Sequence, residues 1–418
     1  MLKSLKVALL IIMFAALFVA CGGDDDDTGT VDGDGDSEVE VEVEVEVEVE
    51  EKPFDDPQSE GKYMAAATRF TVTYEDPDVP GRMRELPCVV WYPTTTEGED
   101  FMVDGWWRRE DVHDSVPPAL DEAPYPFVAF SHGNSGLAEQ SWTMTEYLAR
   151  HGIVTASCNH VDNTAGDFQH DGEKKIPQSV HDRPHDVAHM IEEMIMMSES
   201  EDHLIAGIVD KERVAASGHS LGGFTTLVVS GAHLYFQDWV AMCETAPETS
   251  WCDVLEEADT SMVKDGNFGS PFVKAAIAFA PMGYQFFSGA KGLADIEIPM
   301  LIMAADRDTT CPLETETRPI YDALVNQEKV FVVSNDTGHM SFSNICDLIG
   351  PINDYLKEAG CGEGFQTPEE VFGIMNHYTL AYLHLILDKD ERYRQYFVSE
   401  DPAKWELNAT LEKPAPAE

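Results

Sequence analysis

Gly218-His219-Ser220-Leu221-Gly222 constrains this chain more than any other stretch. Before it runs Arg213-Val214-Ala215-Ala216-Ser217, short and mostly apolar, as a buried parallel strand is. After it comes Gly223-Phe224-Thr225-Thr226-Leu227-Val228-Val229, which can continue as a helix packed on the sheet. A serine in so tight a strand-to-helix turn is strained and exposes its hydroxyl, and glycines two positions either side let neighbouring backbones pass close. Gly-x-Ser-x-Gly alone arises by chance. The flanking strand and helix patterns make this one read as a nucleophile elbow.

A serine hydroxyl needs a base, and the base needs an orienting carboxylate. On such an elbow the chain order is Ser, then Asp or Glu, then His. Ile298 to Ala305 reads as a further buried strand and ends in Asp306-Arg307-Asp308-Thr309-Thr310-Cys311-Pro312. Asp308 is the expected partner, being two residues deeper in the loop, with Asp306 as the lesser candidate. Lys329 to Val333 reads as the next strand and leads into Ser334-Asn335-Asp336-Thr337-Gly338-His339. His339 is therefore the expected base; His377 and His384 fall in an apolar helical pattern and read as helix-face or core residues. His219, beside the nucleophile, should point away from Ser220. All three groups would meet at the carboxyl edge of one sheet, where open α/β folds place their sites. The oxyanion of an acyl transfer needs N–H donors. The loop Ser131-His132-Gly133-Asn134-Ser135-Gly136, after the strand-like run 125–130, and the residue after the serine supply them. Asn134 and Leu221 are the expected donors, through their main chains.

With these residues in place the chain resembles the α/β-hydrolase superfamily. More narrowly, it resembles the bacterial branch of dienelactone-hydrolase-like and platelet-activating-factor-acetylhydrolase-like enzymes, neighbours of the cutinase-like polyesterases. The matching pieces are Phe130-Ser131-His132-Gly133, Tyr147 to Gly152 with the strand at Ile153, Arg183-Pro184 with Asp186, Gly218 to Gly223, Pro299 to Pro312, and Gly338-His339. They cover roughly residues 65–400, and the spacing from Asp308 to His339 is similar to that in the polyesterases. The resemblance implies an α/β fold with a mostly parallel sheet, helices on both faces and ester hydrolysis without a cofactor. Dienelactone hydrolases carry a Cys nucleophile, so Ser220 sets their chemistry aside. The stretch from about 231 to 271 is unusually long between the nucleophile helix and the next strand.

The N-terminus reads as an export signal: Lys3 and Lys6, an apolar run from Val7 to Ala20, then Cys21-Gly22. The run is short for a spanning helix, and a small residue before Cys resembles a lipobox. Residues 1–21 are thus expected to be a lipoprotein signal, with Cys21 the lipidated residue and the mature protein extracytoplasmic. Membrane contact is then expected only through that anchor. A cleaved, soluble secreted form and an uncleaved anchor are the competing readings. Residues 22–60 hold eighteen acidic groups, among them six Val-Glu repeats from Val39 to Glu50, and one Lys. Like charges on one face oppose strand pairing, so this stretch reads as a solvated spacer ahead of a hydrolase domain from 61 to 418. The net charge of −50 is not confined to the spacer and excludes a nucleic-acid partner. Beyond Cys21 seven cysteines remain. Cys243–Cys252 and Cys346–Cys361 are plausible bridges in an oxidising compartment, whereas Cys88 and Cys158, in strand-like runs, default to buried thiols.

His181, His185 and His189 recur every four residues, a spacing able to ligate zinc. Pro184 reads as the helix start, which leaves His181 outside it, and serine chemistry needs no metal, so no metal site is expected. Trp106, Trp107 and the aromatics Tyr235, Phe236, Trp239 and Trp251 could equally wall an acyl site or form a satellite core. The reading is a monomeric serine hydrolase acting on a small-molecule, lipid or polymer ester. Its rivals are a peptidase or amidase of the same fold and a non-catalytic surface-binding lipoprotein.

Overall fold

A computed structural model describes residues 53–103, 107–167, 176–248, 251–255, 260–398 and 400–412. The chain divides into two units, Met1–Phe54 and Asp55–Glu418. Of the first, only Pro53 and Phe54 are described, so the expected signal, Cys21 and the Val-Glu repeats lie outside the described residues. Among the described residues no helix is long and apolar enough to cross a membrane.

The second unit is built on an eleven-stranded sheet. Its strands are β1 (Met64–Glu75), β2 (Met83–Thr94), β3 (Asp100–Val103), β4 (Trp107–Asp114), β5 (Tyr125–Ser131), β6 (Val154–Cys158) and β7 (Val209–His219). A two-residue pair, β8 (His233–Leu234) and β9 (Gly266–Asn267), stands apart; β10 (Val273–Phe279), β11 (Met300–Ala305), β12 (Val330–Ser334) and β13 (Ala409–Glu412) complete the sheet. The order is β13-β12-β11-β10-β7-β5-β6-β2-β1-β4-β3. From β6 through β5, β7, β10 and β11 to β12 every pair is parallel. Parallel strands need crossover segments and helices on both faces. The principal helices are α1 (Trp142–Arg150), α2 (Ile176–Glu199), α3 (Leu221–Val229), α4 (Phe236–Thr245) and α5 (Pro368–Ile386).

The alternation of side chains along each strand assigns the two faces. Val128, Ile277, Leu301 and Val332 point into one core, which includes Leu148 of α1 and Tyr378 of α5. Their neighbours Ala276, Ala278 and Ile302 face a second core with Leu227 and Val228 of α3, and Ala129 faces a third with Met190 and Ile191 of α2. Both faces are apolar, which is why these strands read as unbroken hydrophobic runs.

Five expectations need correction or settlement. The acidic spacer does not extend to 60, because the chain is fixed from Asp55: its carboxylate pairs with His151 Nδ1 at 2.7 Å and His384 Nε2 at 3.3 Å. Cys88 and Cys158 are not free thiols but a disulfide, since the antiparallel register of β2 and β6 sets them directly opposite one another. Cys243–Cys252 and Cys346–Cys361 are bridged, and Cys311 is a buried free cysteine. Pro184 does not start α2 but lies inside it. It forgoes one backbone hydrogen bond, and Asp182 and Asp186 on either side of it are clamped by Arg82 and Arg84. In the 231–271 segment, Phe236 and Trp239 pack on Phe286 in the core beside α3 rather than walling a cleft.

Candidate active site

β7 delivers Ser220 to the edge of the sheet and α3 begins at the next residue. Between them Ser220 adopts φ 58°, ψ −118°, a positive-φ conformation costly for a residue with a side chain. Two contacts hold it there. The Ser220 N–H donates to Phe279 O of β10 at 2.9 Å, and Ser220 O accepts from Phe224 N at 3.0 Å. Glycine at 218 and 222 is compelled by closeness: a Cβ on Gly222 would lie 1.9 Å from Ser131 O, and one on Gly218 2.4 Å from Gly222 O.

β11 ends three residues before Asp308, and β12 ends five before His339. His339 Nε2 lies 2.9 Å from Ser220 Oγ, and His339 Nδ1 lies 2.7 Å from Asp308 Oδ2. The other Asp308 oxygen accepts the backbone N–H of Thr310 at 2.8 Å and of Cys311 at 2.7 Å, which fixes the carboxylate plane. Asp306 does not reach the imidazole; its Oδ1 accepts the Thr337 N–H at 3.0 Å and so ties the histidine loop to the end of β11. Asp308 and His339 are both buried. The side chains of residues 220, 308 and 339 therefore meet at one rim. His377 and His384 are far from it in role, held by Asp401 and by Asp388 with Asp55.

A second set of polar groups, invisible in the sequence, supports this rim. The Gly133 N–H donates to Gln140 Oε1 at 2.8 Å, Gln140 Nε2 donates to His219 Nδ1 at 3.0 Å, and His219 Nε2 donates to His339 O at 2.9 Å. Burial and the neighbouring His339 hold His219 well below the usual histidine range, so it stays neutral, as this alternation of acceptor and donor requires. His219 thus points away from Ser220 and braces the backbone of His339. Arg183, fully buried on α2, donates to His132 O, to Gly133 O at 2.9 Å and to Asn163 Oδ1 at 2.5 Å. Burial pushes its guanidinium down to about 9. The loop beside the serine is accordingly pinned from below. Gly133 N–H is committed to Gln140, and Ser135 N–H faces Asn163 Oδ1 at 3.4 Å. The Asn134 N–H is taken by neither of these partners, and Leu221 N opens α3, where a first-turn N–H has no intrahelical acceptor.

Another Ser–His–Asp array lies close by. Ser131 Oγ is 2.9 Å from His160 Nε2, and His160 Nδ1 is 2.9 Å from Asp186 Oδ2. Here Asp186 is saturated by Arg84 and by the Tyr74 hydroxyl at 2.6 Å. Ser131 is paired with Gly218 inside the sheet and only 1% exposed. No ester carbonyl can approach that hydroxyl, so this array is structural.

A sheet parallel from β6 to β12 with antiparallel strands at either side, helices on both faces and a serine at a strained β7–α3 turn decide the architecture. The chain has the α/β-hydrolase fold. Within that fold the ferulic acid esterase from Streptomyces cinnamoneus superposes with a TM-score of 0.56, at 17% identity, over 84% of this chain and 97% of the esterase. The family model described as PET hydrolase-like matches residues 258–413, a stretch that holds Asp308 and His339 but not Ser220. Cutinase 2 of Thermobifida cellulosilytica is 23% identical over 273 residues, 65% of this chain and 72% of the cutinase. Cutinase est1 of Thermobifida alba is 22% identical, and cutinase cut1 of Thermobifida fusca 23%; the match spans 64% and 59% of their lengths.

Proposed function

We propose that this α/β-hydrolase cleaves uncharged carboxylic esters through an acyl-enzyme intermediate. The observation that carries the reading is the unbroken line from Asp308 Oδ2 through His339 to Ser220 Oγ, with both contacts under 3 Å. With Nδ1–H donating to the carboxylate, Nε2 is left as an acceptor for the serine proton. Ser220 Oγ adds to the ester carbonyl carbon while its proton passes to His339 Nε2. The carbonyl oxygen, now anionic, is held by the main-chain N–H groups of Leu221 and Asn134. Collapse of this tetrahedral species breaks the bond to the alkoxy oxygen, which leaves as the alcohol with the proton from His339. Water then adds to the acyl carbon, giving its proton to His339, and the second collapse returns that proton to Ser220 as the carboxylic acid departs.

The class of ester is argued from charge and kinship. A protein of net charge −50 sets up a potential that disfavours anionic substrates. Its relatives include proteins named cutinases and a family described as PET hydrolase-like, which favours polyesters or bulky neutral esters over small ionic ones. An extracytoplasmic site of action, anchored through a lipid on Cys21, belongs to the same proposal; three disulfides accord with an oxidising compartment. The test is hydrolysis of p-nitrophenyl butyrate and of a neutral polyester film by wild type and Ser220→Ala. Turnover of both by wild type, with a loss of at least about 10⁴-fold in the variant, supports the proposal. Turnover by the variant within tenfold of wild type overturns it.

A further inference from the structure

Outside the Ser220–His339–Asp308 line, α2 presents His181 and His185, which the sequence set apart because Pro184 reads as a helix start. With α2 running unbroken from Ile176, the two imidazoles lie one turn apart on the same face. The turn between β1 and β2 faces them, carrying Asp76 and Asp78. One nitrogen from each imidazole and one Asp78 oxygen lie within 4.8 Å of one another.

We infer that Asp78, His181 and His185 form a binding site for a divalent transition-metal ion of the zinc type. Two imidazoles and a carboxylate are the donor set such ions take. The spacing also suits one: His185 Nε2 and Asp78 Oδ2 are 3.6 Å apart, and ligands about 2.0–2.1 Å from a tetrahedral zinc lie roughly 3.4 Å from each other. The two oxygens of Asp78 are divided between tasks, Oδ1 being paired with Lys264 while Oδ2 faces His185. The other nearby carboxylates are spoken for. Asp76 Oδ1 accepts the N–H of Asp78 and Val79, its Oδ2 pairs with Arg82, and Asp182 binds Arg82 and Arg84. Asp76 thereby shapes the turn that presents Asp78, and both its oxygens accept from His181 Nε2, at 3.4 and 3.3 Å, so an ion taking that nitrogen displaces its proton. The site is reachable: the His181 side chain is buried, but those of His185 and Asp78 retain 17% and 20% exposure. An ion held there ties the β1–β2 turn to α2 two residues from Arg183, the anchor of the loop beside Ser220.

The experiment uses the full chain freed of metal with a chelator, then titrated with zinc chloride by calorimetry and scanned for thermal unfolding. One tight zinc equivalent and a raised Tm are expected in wild type and in His189→Ala. Both are lost, with binding weakened at least tenfold, in His185→Ala and in Asp78→Asn. These two side chains are partly exposed, and circular dichroism checks that the variants fold. Cobalt(II) in place of zinc is expected to give the visible absorption of a tetrahedral nitrogen–oxygen site in wild type only. Absence of saturable zinc binding in wild type, or binding undiminished in either variant, overturns the inference.

Discussion

Asp308→Asn is the substitution whose consequence the geometry defines most sharply. Asp308 Oδ1 accepts two backbone N–H groups, from Thr310 and Cys311, at 2.8 and 2.7 Å. An asparagine must turn its carbonyl oxygen to those donors, since an amide NH₂ there would leave both unsatisfied. Its NH₂ is then forced toward His339 Nδ1, now 2.7 Å away in place of Asp308 Oδ2. The imidazole must accept at Nδ1 and carry its proton on Nε2, so it faces Ser220 as a donor and cannot take the serine proton. The shape of the site is kept while the base is lost, a change that costs about 10⁴-fold in kcat, or about 5 kcal/mol of transition-state stabilisation. Asp306→Asn serves as the control. Its oxygen can still accept from Thr337 N–H, so activity should stay within about threefold of wild type. The assay is steady-state hydrolysis of p-nitrophenyl butyrate, with Tm measured alongside. Retention of more than a tenth of wild-type kcat by Asp308→Asn, or a larger loss in Asp306→Asn, refutes the reasoning.

Gly222→Ala would set a Cβ against Ser131 O, a backbone atom that cannot yield; kcat/KM should fall at least about 100-fold, and near-wild-type turnover would contradict the elbow's packing. Burial holds His160 at about 4 and His132 and His219 well below the usual histidine range. The unfolded chain therefore binds protons that the folded chain refuses. Stability present above pH 6.5 should drain as pH falls toward 4, by roughly 3 kcal/mol for His160 alone. Urea melts at pH 7, 6, 5 and 4 check this against His160→Gln, whose loss over that window should be smaller by that amount. Cys88 and Cys158 close a loop of 70 residues. Replacing both with Ala should destabilise by about 4 kcal/mol, lowering Tm by roughly 5 °C in a calorimetric scan.

Much of this fold is legible because its central strands are buried on both faces. The runs at 125–130, 214–216, 300–305 and 330–333 are mostly apolar, and chemistry-bearing residues stand on the loops and turns that follow them. Depth in the loop after β11 separates Asp308, which faces His339 Nδ1, from Asp306, which accepts the Thr337 N–H. The Cys88–Cys158 bridge was not legible, because it depends on the register of two strands far apart in sequence. Nor was the true extent of α2, since a helix that carries an internal proline is stabilised by Arg82 and Arg84 from elsewhere in the chain. The brace through Gln140 and His219 is hidden in the sequence for a similar reason. Its members look like ordinary polar residues until the loop, the elbow and the histidine turn are brought together. The Arg183-Pro184 and Asp186 pattern did signal something, and its meaning is an anchor beneath the loop next to the serine.

The most direct measurement is the site and rate of covalent labelling by a fluorophosphonate, read by peptide mass spectrometry. The account predicts one adduct per chain, on Ser220, formed far more slowly in His339→Ala and absent from Ser220→Ala. No adduct on wild type, an adduct on Ser131, or labelling of Ser220 unaffected by loss of His339 would contradict it.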